Sequence, residues 1–367
     1  MVLKITSLLQ KTLAILLLLY SGEFLTYNNN LTITANSSSV VKKDDLQIAL
    51  EKASMANKTV IIAIVNRAYV EPHENEYPTM FDLFLEGFWA GEGTRPLVDH
   101  LLVVSMDQAA HERCEYRRLN CYRLEANGGG DDFAGEEVYM TDGFIEMMWR
   151  RTRFLLDVLN RGFNFIFTIS IDKLECGHIL GKDKPSYGCD TDVLWLRNPF
   201  TKLSKNVTVD LQISTDVFHG SSSSKKNLIN TGFYFIRSNE KTISLFETWY
   251  DMRRIATGLK EQDVLKNLVR GGILGKLGLT AKFMDTLYFS GFCKNSRDIE
   301  QVATVHANCC RSIRAKVADL KMVLRDWKEF KNYKRNISQS DSHNRTNNFQ
   351  WSRHTSCINS WKNTKKM

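Results

Sequence analysis

The sequence predicts an α/β fold, a mostly parallel central sheet flanked by helices, and three observations lead there. Thr59-Val60-Ile61-Ile62-Ala63-Ile64-Val65 and Leu101-Leu102-Val103-Val104-Ser105-Met106 are near-continuous apolar runs of strand length, the pattern of strands covered on both faces. Segments of helical period separate and follow them, so strand alternates with helix. The third observation is Phe163-Asn164-Phe165-Ile166-Phe167-Thr168, followed further on by Asp190-Thr191-Asp192-Val193-Leu194-Trp195. It places a pair of acids at the carboxyl edge of a core strand, where open α/β sheets bind their ligands.

At 367 residues the chain can hold one large domain of about 250 residues plus tails, or two smaller ones. Its 43% hydrophobic and 25% charged residues are ordinary for a globular protein. The net charge of +8 has much of its excess after Arg311 and suits anionic lipid or polysaccharide. No zinc-finger, RNP or recognition-helix motif accompanies it, which argues against nucleic acid.

Lys4 and Lys11 precede an apolar run, Thr12 to Tyr20, that falls short of the roughly 20 residues of a full span. Residues 1–24 read as a signal anchor or a signal peptide, and we favour the anchor. Basic residues ahead of the run would keep the N-terminus cytosolic and send the rest into the lumen. Sequons at Asn30, Asn36, Asn57, Asn206, Asn336 and Asn344 agree with that address, as do eight cysteines. Cys114 is close enough to Cys121 for a local bridge, and Cys293 could reach Cys309 or Cys310.

Residues 25–43, rich in Asn, Ser and Thr, form a flexible stem. Asp44 or Asp45 then caps a helix with Leu46, Ala49, Leu50 and Ala53 at helical spacing. The first strand, 59–65, ends at Asn66-Arg67, the place for a nucleotide-binding loop in a doubly wound sheet. Met80 to Gly91 is helical with Phe81, Phe84, Leu85 and Phe88 on one side, 101–106 is the second strand, and Tyr122-Arg123-Leu124 a short third. Asn127 to Gly135 is a loop; its glycine run lacks the strand-turn-helix setting and following Lys of a phosphate cradle. Thr141 caps a helix that runs to Leu159, exposes Arg150, Arg151 and Arg153, and is stopped by Gly162.

The stretch 169–189 interrupts what would otherwise run from strand straight into acid pair. Without periodicity and rich in Gly, Lys and Cys, it either loops out over the site or is a gene-model artefact, and we favour the artefact. Beyond it come a strand, Val209 to Ser214, a serine loop, and the aromatic strand Asn230 to Arg237. Gly232 near the start of that strand marks either close approach of a ligand to the backbone or a simple bulge. Ile243 to Ile255 is an amphipathic helix and Gln262-Asp263-Val264-Leu265 opens another; Ala281 to Met284 and Val302 to His306 are short strands. The domain therefore spans 44–331, and the polar, basic segment 332–367 reads as a disordered tail.

In an extended segment, side chains two apart leave on one side, so Asp190 and Asp192 can face one polar object together. Neighbouring carboxylates repel unless compensated, and a divalent cation carrying a diphosphate compensates them. The tripeptide alone is weak, since Asp-x-Asp also occurs in turns; its neighbours give it weight.

Those neighbours include Asn57-Lys58-Thr59-Val60-Ile61, Leu83-Phe84-Leu85-Glu86-Gly87-Phe88-Trp89, Met147-Met148-Trp149-Arg150-Arg151 and Asp192-Val193-Leu194-Trp195-Leu196-Arg197-Asn198-Pro199-Phe200. Further on come Gln262-Asp263-Val264-Leu265, Gly291-Phe292-Cys293 and His306-Ala307-Asn308-Cys309-Cys310. Together, from about Leu46 to Phe330, they resemble a plant family of nucleotide-diphospho-sugar transferases within or close to glycosyltransferase family 77. The resemblance implies a GT-A type fold and a single-pass type II Golgi membrane protein with its domain in the lumen, a secreted form being the alternative. It also implies retaining transfer of a sugar from a nucleotide donor, UDP-linked, to a cell-wall glycan or glycoprotein, with Golgi enzyme complexes as further partners.

By the same resemblance Asp190, Asp192 and His306 hold Mn²⁺ (or Mg²⁺), and Arg150 and Arg151 present cations to the donor. Asp263, and less so Asp216, serve as the acid facing sugar or acceptor, Gly232 lets the ligand approach, and Asn66 lies in the nucleotide loop. The interruption at 169–189 departs from the family pattern and supports a second reading, a catalytically inactive lumenal protein that keeps the fold and binds glycan or partner enzymes. A secreted hydrolase fits less well, because hydrolytic carboxylates sit further apart on separate elements.

Overall fold

A computed structural model describes residues 43–72, 77–124, 142–169, 192–224, 226–337 and 349–361. The anchor and stem, the glycine loop, Asp190 and nearly all of 169–189 lie outside the described residues. Helix α1 (Asp45–Ala53) leads into β1 (Thr59–Val65), which is buried at every position, as its β-branched run predicts. A single helical turn (Arg67–Val70) and α2 (Met80–Ala90) precede β2 (Leu101–Ser105). Helix α2 starts where Thr79 and Asp82 cap each other's backbone, which satisfies two otherwise orphaned N–H groups. Next come α3 (Gln108–Tyr116), β3 (Asn120–Arg123), α4 (Asp142–Asn160) and β4 (Asn164–Ile169).

The second half begins with β5 (Val193–Trp195), β6 (Leu211–Val217) and β7 (Leu228–Ile236). Helices α5 (Glu240–Asp251) and α6 (Glu261–Arg270) follow, then β8 (Ala281–Phe283), β9 (Phe289–Gly291) and β10 (Thr304–His306). The long α7 (Ile313–Ile337) and a short α8 (Thr355–Ser360) end the chain's described part. Seven strands form one sheet in the order β3-β2-β1-β4-β7-β6-β8, and β5, β10 and β9 form a small second one. In the large sheet β7 alone runs antiparallel to its neighbours β4 and β6, while the other pairings are parallel. The expected α/β architecture, a mostly parallel sheet flanked by helices, is therefore present.

Among the described residues three disulfides tie the fold: Cys114–Cys121, Cys293–Cys309 and Cys310–Cys357. The first is the local bridge read from spacing. Of the two partners open to Cys293, Cys309 takes it, which leaves Cys310 to bridge to the chain's far end.

Residues 332–337 and 349–361 correct the expectation of a disordered tail where they are described. Helix α7 runs unbroken to Ile337, and residues 349–361 fold back onto it. Phe349 packs edge-on against Phe330 at 5.7 Å, and Asp326 accepts from the backbone N–H and hydroxyl of Ser352. The Asp319 carboxylate accepts from the N–H groups of Ser356 and Cys357. His354 stacks on Phe292 at 3.7 Å and meets the Asn295 amide at 2.7 Å. Local composition conceals this, because the segment docks through a few long-range anchors and not through an apolar stripe of its own. Among the described residues no helix is long and apolar enough to cross a membrane.

Burial lowers the pKa of His354, against the opposing pull of Asp319 and Asp326. The folded chain thus favours the neutral ring, and below the ordinary histidine value of about 6.5 the unfolded chain binds the proton more readily. Stability from this contact is lost as pH falls through that value. Calorimetric melting from about pH 7.5 down to 5.5 should show wild type losing more stability than His354→Gln, and parallel curves would refute the assignment.

Candidate active site

The site is built around a three-residue strand. Val193 of β5 pairs antiparallel with His306 of β10, and the N–H of Ala307 donates to the Asp192 carbonyl at 2.8 Å. Strand β5 is held there from several directions. Glycines 87 and 91, one turn apart on and just past α2, let its backbone come close: a Cβ on Gly87 would lie 3.1 Å from the Trp195 nitrogen, and one on Gly91 2.6 Å from the Trp195 oxygen. The Trp195 indole stacks on Phe88 at 4.8 Å and donates to the Thr168 hydroxyl at 2.6 Å, joining β5 to the end of β4. Arg197 donates to the Ile299 and Val302 carbonyls at 2.7 Å and lies over Trp327, 4.6 Å from the ring centre. The Asp-Val-Leu-Trp-Leu-Arg phrase is thus largely a clamp that fixes where Asp192 ends up.

That position brings two of the predicted metal ligands together. The Asp192 side chain is fully buried, with one carboxylate oxygen 3.3 Å from Nε2 of His306 and the other 3.5 Å from Nζ of Lys316, itself only 2% exposed on α7. Sequence reasoning missed Lys316. Its signal was a lysine in the apolar phasing of α7's first turns, where a surface charge does not belong.

Gly232 proves tight for a reason other than ligand approach. A Cβ there would sit 2.5 Å from Cε1 of His306 and 3.0 Å from Oδ1 of Asn230, so the histidine ring fills the space beside the glycine. Asn230 in turn accepts from the Gly232 N–H at 2.8 Å and donates to Asp216 at 3.0 Å, while Asn308 donates to the same Asp216 oxygen at 2.8 Å. Asp216 therefore brackets β6, β7 and the turn after β10.

The next residue, Thr231, leaves the opposite face of β7, as strand alternation requires. Its hydroxyl and N–H meet Gln262 at 2.9 and 3.1 Å, and its hydroxyl lies 3.3 Å from Glu261. The expected surface cation Arg151 is buried, 4% exposed, in an ion pair with Glu261 and over the Phe167 ring. Helix α4 turns it inward, so it cannot serve as a solvent-facing charge without breaking that pair. Arg150 beside it is half-buried. Burial pushes the neighbouring Tyr234 phenol far above its usual pKa, eased by Arg151 and reinforced by Glu261. Asp263 is half-buried on the same first turn of α6, whereas Glu261 and Gln262 are the side chains turned onto β7.

Asn66 ends β1 fully buried, and among the described residues its side-chain oxygen has no hydrogen-bond partner. It starts a helical turn without capping it, while Asp107 holds the adjacent Arg67 N–H. One carboxylate oxygen of Glu261 is likewise buried without a partner among them. No group of three metal-binding side chains gathers among the described residues, Asp190 lying outside them. Asp192 and His306 supply a hard oxygen and an imidazole nitrogen to one point, a donor pair that fits a divalent cation such as Mn²⁺.

A family profile described as nucleotide-diphospho-sugar transferase matches residues 96–169 and 175–320. The uncharacterized protein At1g28695 of Arabidopsis thaliana is 47% identical over 95% of this chain and 93% of its own length. A second Arabidopsis thaliana protein, the uncharacterized At4g15970, is 38% identical over 77% of this chain and 66% of its own length. A solved glycosyltransferase involved in glycosylation of the major capsid of PBCV-1 superposes with a TM-score of 0.38 and 12% identity, covering 72% of this chain and 99% of that one.

The His306 contact makes Gly232 sensitive to a single methyl group. Gly232→Ala should cost about 1–3 kcal/mol in denaturant unfolding through the forced shift of His306. Gly275→Ala, whose Cβ would meet nothing within 4 Å, should be neutral or mildly stabilising. Equal effects at the two positions would remove the steric argument.

Proposed function

The chain belongs to the nucleotide-diphospho-sugar transferase family, and from that premise we propose that it moves a sugar from a UDP-linked donor to a glycan or glycoprotein, cell-wall material first among them. The observation that carries this reading is the buried Asp192–His306 pair, 3.3 Å apart where the amino end of β5 meets the carboxyl end of β10. We propose Mn²⁺, with Mg²⁺ as the alternative, held by Asp192 and His306 together with Asp190. When bound, the cation offsets charge building on the departing diphosphate.

The chain's own residues do the remaining work. The unpartnered oxygen of Asn66 is a buried acceptor suited to an N–H of the nucleobase, since an unmet buried acceptor favours a ligand that supplies its donor. Glu261, oriented by Arg151 and Thr231, keeps one oxygen for a sugar hydroxyl, and Asp263 on the same turn faces the acceptor. Gly232 and the Asp216 bracket hold the His306 ring in place. We assign the transfer as retaining, which by a front-face path needs no protein nucleophile.

Three disulfides favour an oxidising compartment and so support the proposed lumenal domain of a type II Golgi protein. The interposed 169–189 favours the second reading, an inactive glycan- or partner-binding protein. Against it, the elements on either side still meet, through the bond from Trp195 to Thr168.

The test uses the chain expressed in a secretory host and a panel of UDP-sugars. Mn²⁺ should tighten UDP binding at least about tenfold, and Asp192→Asn should lose that tightening together with roughly 10³-fold in kcat/KM. Wild type that releases UDP from no donor, yet binds glycan, would move the balance to the second reading.

A further inference from the structure

We infer that Lys316 is a built-in counter-cation of this site: it occupies Asp192 while the site is empty, competes with the divalent cation, and passes to the diphosphate when donor binds. This rests on the transferase reading and adds a cation that nothing in the motif pattern assigns. The argument starts from burial. Side-chain exposures of 0% for Asp192, 6% for His306 and 2% for Lys316 leave the carboxylate in low dielectric, where it needs an opposite charge. Lys316, 3.5 Å from one carboxylate oxygen, supplies it, while the other oxygen faces His306.

A divalent ion taking the same carboxylate would sit within a few ångströms of an ammonium, and that repulsion weakens binding of the ion alone. A nucleoside diphosphate reverses the balance, because its oxygens accept both the ion and an ammonium on a flexible four-carbon stem. Cation and nucleotide then favour each other's binding, and linkage makes that coupling reciprocal. A lysine that only fills space in α7 would produce none of this.

The test measures two affinities separately: Mn²⁺ without nucleotide, by electron paramagnetic resonance of the free ion, and UDP in chelator, by calorimetry. Lys316→Met should bind Mn²⁺ alone about tenfold more tightly and UDP without metal about tenfold more weakly, whereas Lys316→Arg stays near wild type in both. Changes of the same sign in Lys316→Met, or none, would overturn the inference. Should Lys316→Met be unfolded at working temperature, Mn²⁺ should restore it by replacing the lost charge, and failure to restore it overturns the inference equally. Wild type that takes Mn²⁺ but no UDP would contradict the transferase reading instead, and the Mn²⁺ comparison alone then decides for or against Lys316.

Discussion

The pairing of β5 with β10 is the constraint on which the rest of the site depends. A strand of three residues has little hold of its own, since two or three ladder hydrogen bonds contribute only about 1 kcal/mol each. Its position is instead fixed from outside. Glycines 87 and 91 admit its backbone against α2, the Trp195 indole ties it to Thr168, and Arg197 fastens its far end to the 299–302 loop and Trp327. Given that clamp, antiparallel register places His306 opposite Val193, and the Asp192 carboxylate meets the imidazole without any further adjustment.

Strand β7 does a second job by presenting two faces to two polar clusters. On one face Gly232 makes room for the His306 ring; on the other Thr231 receives Gln262 and Glu261, with Arg151 beyond them. A single register step would exchange these faces and put a side chain into the imidazole. The strand also runs antiparallel between two neighbours, in a sheet whose remaining pairings are parallel. The Asp216 bracket, reaching Asn230 and Asn308, couples this strand to the turn after β10, so the two sheets are registered to each other through polar contacts.

How far the sequence could be read follows the range of the interactions. Strands β1 and β2, covered on both faces, announce themselves through continuous apolar runs, and the capped helix from Met80 through its phenylalanine spacing. Asp192 and His306 were legible as a pair because motif phrases identify both ends of a contact that spacing alone cannot join. The surroundings of Arg151 and Gly232 were not legible because a partner far along the chain decides them: Glu261 for one, the His306 ring for the other. The segment after 349 was missed for the same reason, its anchors being Phe330, Asp319, Asp326 and Cys310 and not its own neighbours. Lys316 looks like any helix charge until α7 is packed, and only then does it face an acid.

The most direct measurement of the central claim is anomalous diffraction from crystals of the chain grown with Mn²⁺ and UDP. The account predicts one strong manganese peak bonded to both the Asp192 carboxylate and Nε2 of His306, with the diphosphate oxygens on its open side. Manganese and nucleotide bound elsewhere, with neither Asp192 nor His306 bonded to the metal, would contradict it.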